Sequence, residues 1–183
     1  MTRLTKFLYD VAEVAAPAVV IIALLFTFAA RVAGVDGTSM LPTLEDRQQV
    51  ILTAGLREPE HGDIVVISQN NGHHKPLLKR VIGVAGDEID FADGLVLVNG
   101  AVIDEPYLAE GTMTYPAPAS AMAYPVRVPA GHVFVMGDNR GVSSDSRAST
   151  VGFVRVDDIL GEVLFRTRPF IRTGPFRFTY QVK

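Results

Sequence analysis

The sequence predicts a mainly β protein, in which one apolar helix near the N-terminus precedes a single all-β domain. Two observations carry this prediction. Residues 14–30 (VAAPAVVIIALLFTFAA) contain no charge, whereas the chain beyond Asp36 consists of short β-rich segments separated by turn residues. With 183 residues, of which 48% are hydrophobic and 20% charged, the chain is long enough for one domain with its own core and one appendage.

The apolar run predicts a membrane anchor. At 1.5 Å per residue, residues 14–30 cover about 26 Å, and an extension through Arg31 to Val35 reaches the ~30 Å of a bilayer core. A cleaved signal peptide and a buried helix are the alternatives. The apolar region of a signal peptide is usually about 7–15 residues long and is followed by a small-residue cleavage site, which this run lacks. We therefore expect a transmembrane anchor at 14–35.

The charges on either side of the anchor predict its orientation. Arg3, Lys6 and the amino terminus precede the run, and Arg31 is the close positive charge after it. Because positively charged flanks stay in the cytoplasm, we expect a short cytoplasmic N-terminus at 1–13 and an extracytoplasmic domain at 36–183. The expected location is the cell membrane, with the lipid bilayer as a partner.

The domain at 36–183 is predicted to be built from strands. Six segments have the β-branched composition of strands: 49–53 (QVILT), 63–68 (DIVVIS), 79–84 (KRVIGV), 95–98 (LVLV), 132–136 (HVFVM) and 159–165 (ILGEVLF). The pair Asn99-Gly100 predicts a two-residue hairpin. The proline-rich residues 105–125 predict a loop excursion, and residues 70–76 (NNGHHKP) predict a second surface loop.

The composition excludes several classes of function. There is no cysteine, so disulfides, thiolate catalysis and cysteine-based zinc sites are excluded. The net charge is −3 and no basic tract occurs, so nucleic acid is not an expected partner. The four histidines (His61, His73, His74 and His132) lack the spacing of a metal site, and no P-loop or dinucleotide motif is present. No metal or cofactor is expected.

Three polar segments contain the residues that could perform chemistry. Ser39 follows a glycine-containing turn, which would expose its hydroxyl, although a purely structural turn is the favoured interpretation when this segment is taken alone. Lys79 opens an apolar strand, where burial would lower its pKa and let it accept a proton; a solvated edge-strand lysine is the alternative. Residues 137–147 (GDNRGVSSDSR) follow a third strand with a density of polar groups that exceeds that of an ordinary loop, and a purely structural polar turn is the alternative.

Taken together, these segments resemble the conserved boxes of bacterial type I signal peptidases. The strings, in order, are SMLPTL at 39–44, GDIVVI at 62–67, KRVIGVAGD at 79–87, VNGAVIDEPYL at 98–108 and GDNRGVSSDSR at 137–147. The resemblance implies an antiparallel all-β peptidase domain of the signal-peptidase kind. It also implies a serine endopeptidase with a Ser/Lys dyad. Such an enzyme removes signal peptides from exported preproteins through an acyl-enzyme, after small residues at Ala-x-Ala sites.

The resemblance also implies roles for individual residues. Ser39 would be the nucleophile, with its backbone N–H in the oxyanion hole, and Lys79 would be the general base. Ser143 would orient the lysine. The other implied roles are support of the site by Asp138, Asp145 and Arg147, and lining of the substrate cleft by Met40 and Leu41. Gly37 departs from family members with serine at that position, whose hydroxyl completes the oxyanion hole, so a second donor has to come from elsewhere.

Two other functions compete with this one. A self-cleaving repressor-type Ser/Lys peptidase would use the same chemistry, but it would carry a DNA-binding region where this chain has its apolar run. A membrane-anchored binding domain that has lost catalysis is the second alternative, and the presence of both Ser39 and Lys79 argues against it.

Overall fold

A computed structural model describes residues 3–28, 31–53, 58–70, 74–117, 122–167, 170–172 and 180–181 of the chain. The chain divides into two compact units, 1–31 and 32–183. The first unit is helical and the second is built from strands, and each is described by itself.

The first unit contains one helix, α1 (Arg3–Phe28), which includes Pro17. Among the described residues, no helix has the length and apolar character needed to cross a bilayer. The predicted anchor at 14–35 is therefore wrong. The first half of α1 carries charged residues, and residues Arg31–Gly34 form a strand instead of continuing the helix. The uncharged part of the helix is thus only about 22 Å long. The predicted orientation, with residues 1–13 in the cytoplasm and 36–183 outside, was derived from that anchor and loses this support.

The second unit consists of two antiparallel sheets, which confirms the mainly β, antiparallel part of the predicted fold class. The larger sheet has the order β1-β2-β11-β3-β4-β9-β10, with β12 paired to β11, and the smaller sheet has the order β13-β7-β6-β5-β8. The strands are β1 (Arg31–Gly34), β2 (Gln49–Thr53), β3 (Ile64–Ile67), β4 (Leu77–Gly83), β5 (Glu88–Ala92), β6 (Leu95–Val98), β7 (Ala101–Ile103), β8 (Val126–Arg127), β9 (His132–Met136), β10 (Val154–Arg155), β11 (Ile159–Thr167), β12 (Phe170–Arg172) and β13 (Tyr180–Gln181), and a short 3-10 helix spans Val156–Asp158.

The sequence patterns account for most of these strands. The predicted strands at 49–53, 95–98 and 132–136 coincide with β2, β6 and β9. The other three predicted strands correspond to β3, β4 and β11, with ends that differ by a few residues. Asn99 and Gly100 both have positive φ, of 54° and 79°, and they join β6 to β7 in the predicted hairpin.

The loop predictions are partly covered by the structure. In the described parts of 105–125, no strand occurs between the end of β7 and the start of β8. The loop predicted at 70–76 lies partly outside the described residues, because 71–73 are not among them.

Strand β4 is the element that positions the site. It is central in the larger sheet, paired with β3 on one side and with β9 on the other. Six of its seven residues are buried, which matches the apolar run around the two cations Lys79 and Arg80. Because successive side chains of a strand point to opposite faces, these two neighbouring cations lie in different surroundings.

Candidate active site

Ser39 and Lys79 lie in direct contact. Lys79 Nζ donates a hydrogen bond to Ser39 Oγ at 2.8 Å and a second one to the carbonyl oxygen of Leu78 at 3.0 Å. Ser39 lies in a tight turn after β1, where Leu41 N–H donates to the Thr38 carbonyl oxygen. The fold therefore brings together two residues that are 40 positions apart in the chain.

Lys79 is almost completely buried, with 2% of its surface exposed. Burial lowers the pKa of its amine from 10.5 to about 8, because the charged form loses its hydration. The carboxylates of Asp145 and Asp138 act in the opposite direction and raise this pKa, while Lys75 and Arg147 lower it further. A substantial fraction of neutral amine at mildly alkaline pH follows, and a neutral amine can accept the proton of Ser39.

The backbone around Ser39 is held from one side by Asn139. The backbone N–H of Asn139 donates to the Ser39 carbonyl oxygen at 3.0 Å, and its side-chain amide donates to the Thr38 carbonyl oxygen at 3.1 Å. Within the described residues, the Ser39 N–H forms no hydrogen bond of its own. The N–H of Gly37, in contrast, donates to Asp46 at 2.8 Å. One main-chain donor thus remains available beside the serine hydroxyl.

Asp138 forms a fully buried ion pair with Arg80. Arg80 Nε and Nη2 donate to the two carboxylate oxygens at 2.8 and 2.7 Å, and Nη1 donates to the Gly62 carbonyl oxygen at 2.8 Å. The hydroxyl of Thr43, four residues after Ser39, donates to the same carboxylate. The sequence interpretation assigned no role to Arg80. Its position next to Lys79 in a predicted strand nevertheless indicates that its side chain lies on the opposite face of the sheet.

Asp145 and Arg147 form a second buried ion pair. Arg147 Nε and Nη2 donate to the carboxylate oxygens, both at 2.9 Å. The Gly137 N–H donates to Asp145 at 3.0 Å, and Arg147 Nη2 also donates to the Arg140 carbonyl oxygen at 2.8 Å. These contacts fix the two ends of the 137–147 loop against each other.

Ser143 lies beside the site without the predicted bond to Lys79. Its hydroxyl is buried and has no hydrogen-bond partner among the described residues. It packs against Gly137 so closely that a Cβ added to this glycine would lie 2.3 Å from Ser143 Oγ and 2.5 Å from the Ser39 carbonyl oxygen. Position 137 therefore has no room for a side chain.

The Ser39–Lys79 pair opens into a cleft of about 270 Å³. Its lining consists of Asp36, Gly37, Thr38, Ser39, Lys75, Pro76, Leu77, Leu78, Lys79, Val142 and Ser144. The sequence assigned Met40 and Leu41 to the cleft, and neither is in this lining. Met40 is 1% exposed and packs into the core with Leu44, because the turn directs it inward. Val142, which is 66% exposed, provides apolar surface at the cleft instead.

Most of the chain is similar to known signal peptidases. The family model for signal peptidase, peptidase S26, matches residues 8–168. Signal peptidase I from Bacillus caldolyticus is 38% identical over 80% of this chain and 82% of its own. Signal peptidase I S from Bacillus subtilis is 37% identical over 82% of this chain and 84% of its own. The crystal structure of a signal peptidase I from Enterococcus faecalis matches with a TM-score of 0.47 and 29% identity, over 59% of this chain and 98% of the other.

The family model and the two Bacillus relatives define the class of protein first: it is a hydrolase that cuts peptide bonds, a serine endopeptidase. The chain belongs to the signal peptidase family, peptidase S26. This confirms the resemblance seen in the sequence, and it favours that interpretation over the repressor-type peptidase and the domain without catalysis.

Proposed function

We propose that this enzyme removes signal peptides from exported preproteins, with Ser39 as the nucleophile and Lys79 as the general base. The observation that carries the proposal is the 2.8 Å hydrogen bond between Lys79 Nζ and Ser39 Oγ, with a lysine that is 2% exposed. A buried amine with a pKa near 8 meets the requirement for a base that works near neutral pH.

The reaction proceeds in two halves. Neutral Lys79 accepts the proton of Ser39 Oγ as this oxygen attacks the scissile carbonyl carbon. The resulting oxyanion is stabilised by the Ser39 N–H, and the Lys79 ammonium then protonates the departing amine, which leaves an acyl ester on Ser39. In the second half, Lys79 takes a proton from water, the hydroxide attacks the ester, and the proton returns to Ser39 Oγ.

The preferred substrates are extended segments with small side chains, such as those of Ala-x-Ala sites. The small volume of the cleft supports this preference. Residues Asp36 and Gly37, which line the cleft, lie two and three residues after the end of β1, the edge strand of the larger sheet. An extended peptide could add its main chain at such an edge.

The lipid bilayer is a second proposed partner, at the cell membrane, with the domain on the extracytoplasmic face where exported chains emerge. The large apolar side chains of α1 support bilayer contact, because Val14, Val19, Val20, Ile21 and Ile22 are each more than half exposed. Co-sedimentation of the full chain with phospholipid vesicles tests this contact. An Ile21→Asp variant that sediments as fully as the wild type would contradict it.

The test of the catalytic proposal is cleavage of a purified preprotein by the detergent-solubilised full chain. Ser39→Ala and Lys79→Ala should each abolish cleavage while the circular dichroism spectrum stays unchanged. Ser149→Ala and Lys6→Ala are matched controls at exposed positions, and both should cleave at the wild-type rate. Normal cleavage by a folded Lys79→Ala variant would show that another group is the base.

A further inference from the structure

The residues 104–117, between β7 and β8, contact the 137–147 loop through buried charged groups. We propose that Glu105 of this segment is a positioning residue for catalysis, which acts through Arg140 on the loop that holds Ser39. The inference rests on the proposed function, since it assumes that Ser39 and Lys79 are the reacting pair.

Arg140 is the first link. It is 3% exposed, and its guanidinium is bound mainly by the 104–117 segment. Nη1 donates to Glu105 Oε2 at 3.0 Å and to Thr114 Oγ1 at 2.6 Å, and Nη2 donates to Glu105 Oε1. The third guanidinium nitrogen, Nε, donates to the Gly137 carbonyl oxygen at 3.1 Å. One side chain thus joins the segment to the start of the 137–147 loop.

Tyr107 makes a second connection from the same segment. Its hydroxyl donates to Glu105 at 2.6 Å, and its ring centroid lies 3.8 Å from the guanidinium carbon of Arg80. Arg80 in turn binds Asp138, which is next to Gly137 in the loop. Glu105 is therefore connected to the loop in two ways, directly through Arg140 and indirectly through Tyr107 and Arg80.

Gly137 and Asn139 connect the position of the loop to the position of Ser39. The position of a Cβ on Gly137 would be 2.5 Å from the Ser39 carbonyl oxygen, so the two backbones are in close contact. Two residues later, the Asn139 N–H donates to that same carbonyl oxygen at 3.0 Å. A displacement of Gly137 or Asn139 therefore displaces Ser39 relative to Lys79, and a misplacement of about 1 Å can cost a factor of about 100 in rate.

Loss of Glu105 would leave Arg140 buried without its carboxylate, and such a cation moves toward water. Asp145, Asp138, Lys75 and Arg147 are the charged groups that act most strongly on Lys79, and Glu105 is not among them. A change in the behaviour of Lys79 on removal of Glu105 would consequently come from altered geometry and hydration of the site.

The experiment compares Glu105→Ala and Glu105→Gln with Glu110→Ala, a control at an exposed position of the same segment. For Glu105→Ala we expect kcat for preprotein cleavage to fall about 10- to 100-fold, with KM changed less than about twofold. The acid limb of the pH profile should move to higher pH, because a more hydrated Lys79 titrates closer to its ordinary pKa. Glu105→Gln keeps an acceptor for Arg140 and should restore part of kcat.

A merely structural role would lower the folded fraction without moving the acid limb, so this result would overturn the inference. A folded Glu105→Ala enzyme with the kcat and the acid limb of Glu110→Ala would also overturn it. If Glu105→Ala does not fold, Thr114→Val removes one acceptor of Arg140 and takes its place, with the same expected direction of change.

Failure of the proposed function is recognised separately, because the wild-type chain would then leave the preprotein intact. In that case the titration of the Lys79 amine, followed by NMR with labelled lysine in the wild type and in Glu105→Ala, still decides the inference. A higher pKa in the variant supports the positioning role, and an equal pKa contradicts it.

Discussion

The pH dependence of cleavage gives the most direct quantitative prediction. Burial lowers the pKa of Lys79 from 10.5 to about 8. At pH 7 about a tenth of the enzyme would then carry a neutral Lys79, and at pH 9 about nine tenths. A lysine with its ordinary pKa would be neutral about 300-fold less often at pH 7, since 2.5 pKa units separate the two values. In the proposed mechanism, burial of Lys79 thus supplies most of the neutral amine at physiological pH.

The assay is kcat/KM for preprotein cleavage between pH 6 and 10, because this quantity reports the ionisation of the unoccupied enzyme. We expect it to rise tenfold per pH unit and to level off above an apparent pKa of about 8. The substrate should have no histidine or cysteine near the cleavage site, so that its own ionisation does not contribute.

Two results would refute this reasoning. An acid limb centred near 10.5 would mean that Lys79 is solvated in the working enzyme. A limb centred near 6 to 7 would point to a histidine as the base instead. Lys79→Ala serves as the control, and it should show no cleavage at any pH in this range.

Three further predictions concern the framework of the site. Lys79→Met should stabilise the folded protein at pH 7 by up to about 3 kcal/mol. The reason is that the pKa of Lys79 is lower in the folded state than in the unfolded state, so the cost of burying its ammonium is present in full below about pH 8. In urea unfolding this gain should shrink as the pH rises from 8 to 10.5. Asp138→Ala leaves Arg80 buried without its carboxylate and should cost about 3–5 kcal/mol in the same measurement; a loss below 1 kcal/mol would contradict the burial of this pair. Gly137→Ala should abolish cleavage, because the added methyl group would overlap the backbone of the nucleophile, whereas Gly141→Ala, with nothing within 4 Å, should cleave normally.

The sequence was sufficient for what depends on local patterns. The β-branched segments identified β2, β6 and β9, and the asparagine–glycine pair identified the hairpin after β6. The pairing of Ser39 with Lys79 was predicted from the resemblance of the ordered boxes to those of type I signal peptidases. The apolar run was misleading because composition does not determine where a helix ends, and pairing with β2 makes Arg31–Gly34 a strand.

Other features of the site depend on tertiary packing, and no local pattern could predict them. Met40 follows the nucleophile directly, yet the turn directs it into the core with Leu44. Glu105 lies in a proline-rich segment that predicts a loop, and its contact with Arg140 joins positions 35 residues apart. A glutamate in a loop is usually solvated, so only the folded structure identifies this one as a partner of a buried arginine.

The two neighbouring cations of β4 illustrate why the sequence order Lys-Arg matters. On one face, the proposed mechanism needs a group that can lose its proton, and burial of the Lys79 amine lowers its pKa far enough for this. On the other face, Arg80 binds both oxygens of Asp138 and a main-chain carbonyl through a fork of fixed geometry. A guanidinium stays charged in a protein and an ammonium does not provide the planar fork. The alternation of a single strand therefore separates a proton-transfer group from a permanent charge within two residues, and exchanging them would remove the base and the framework together.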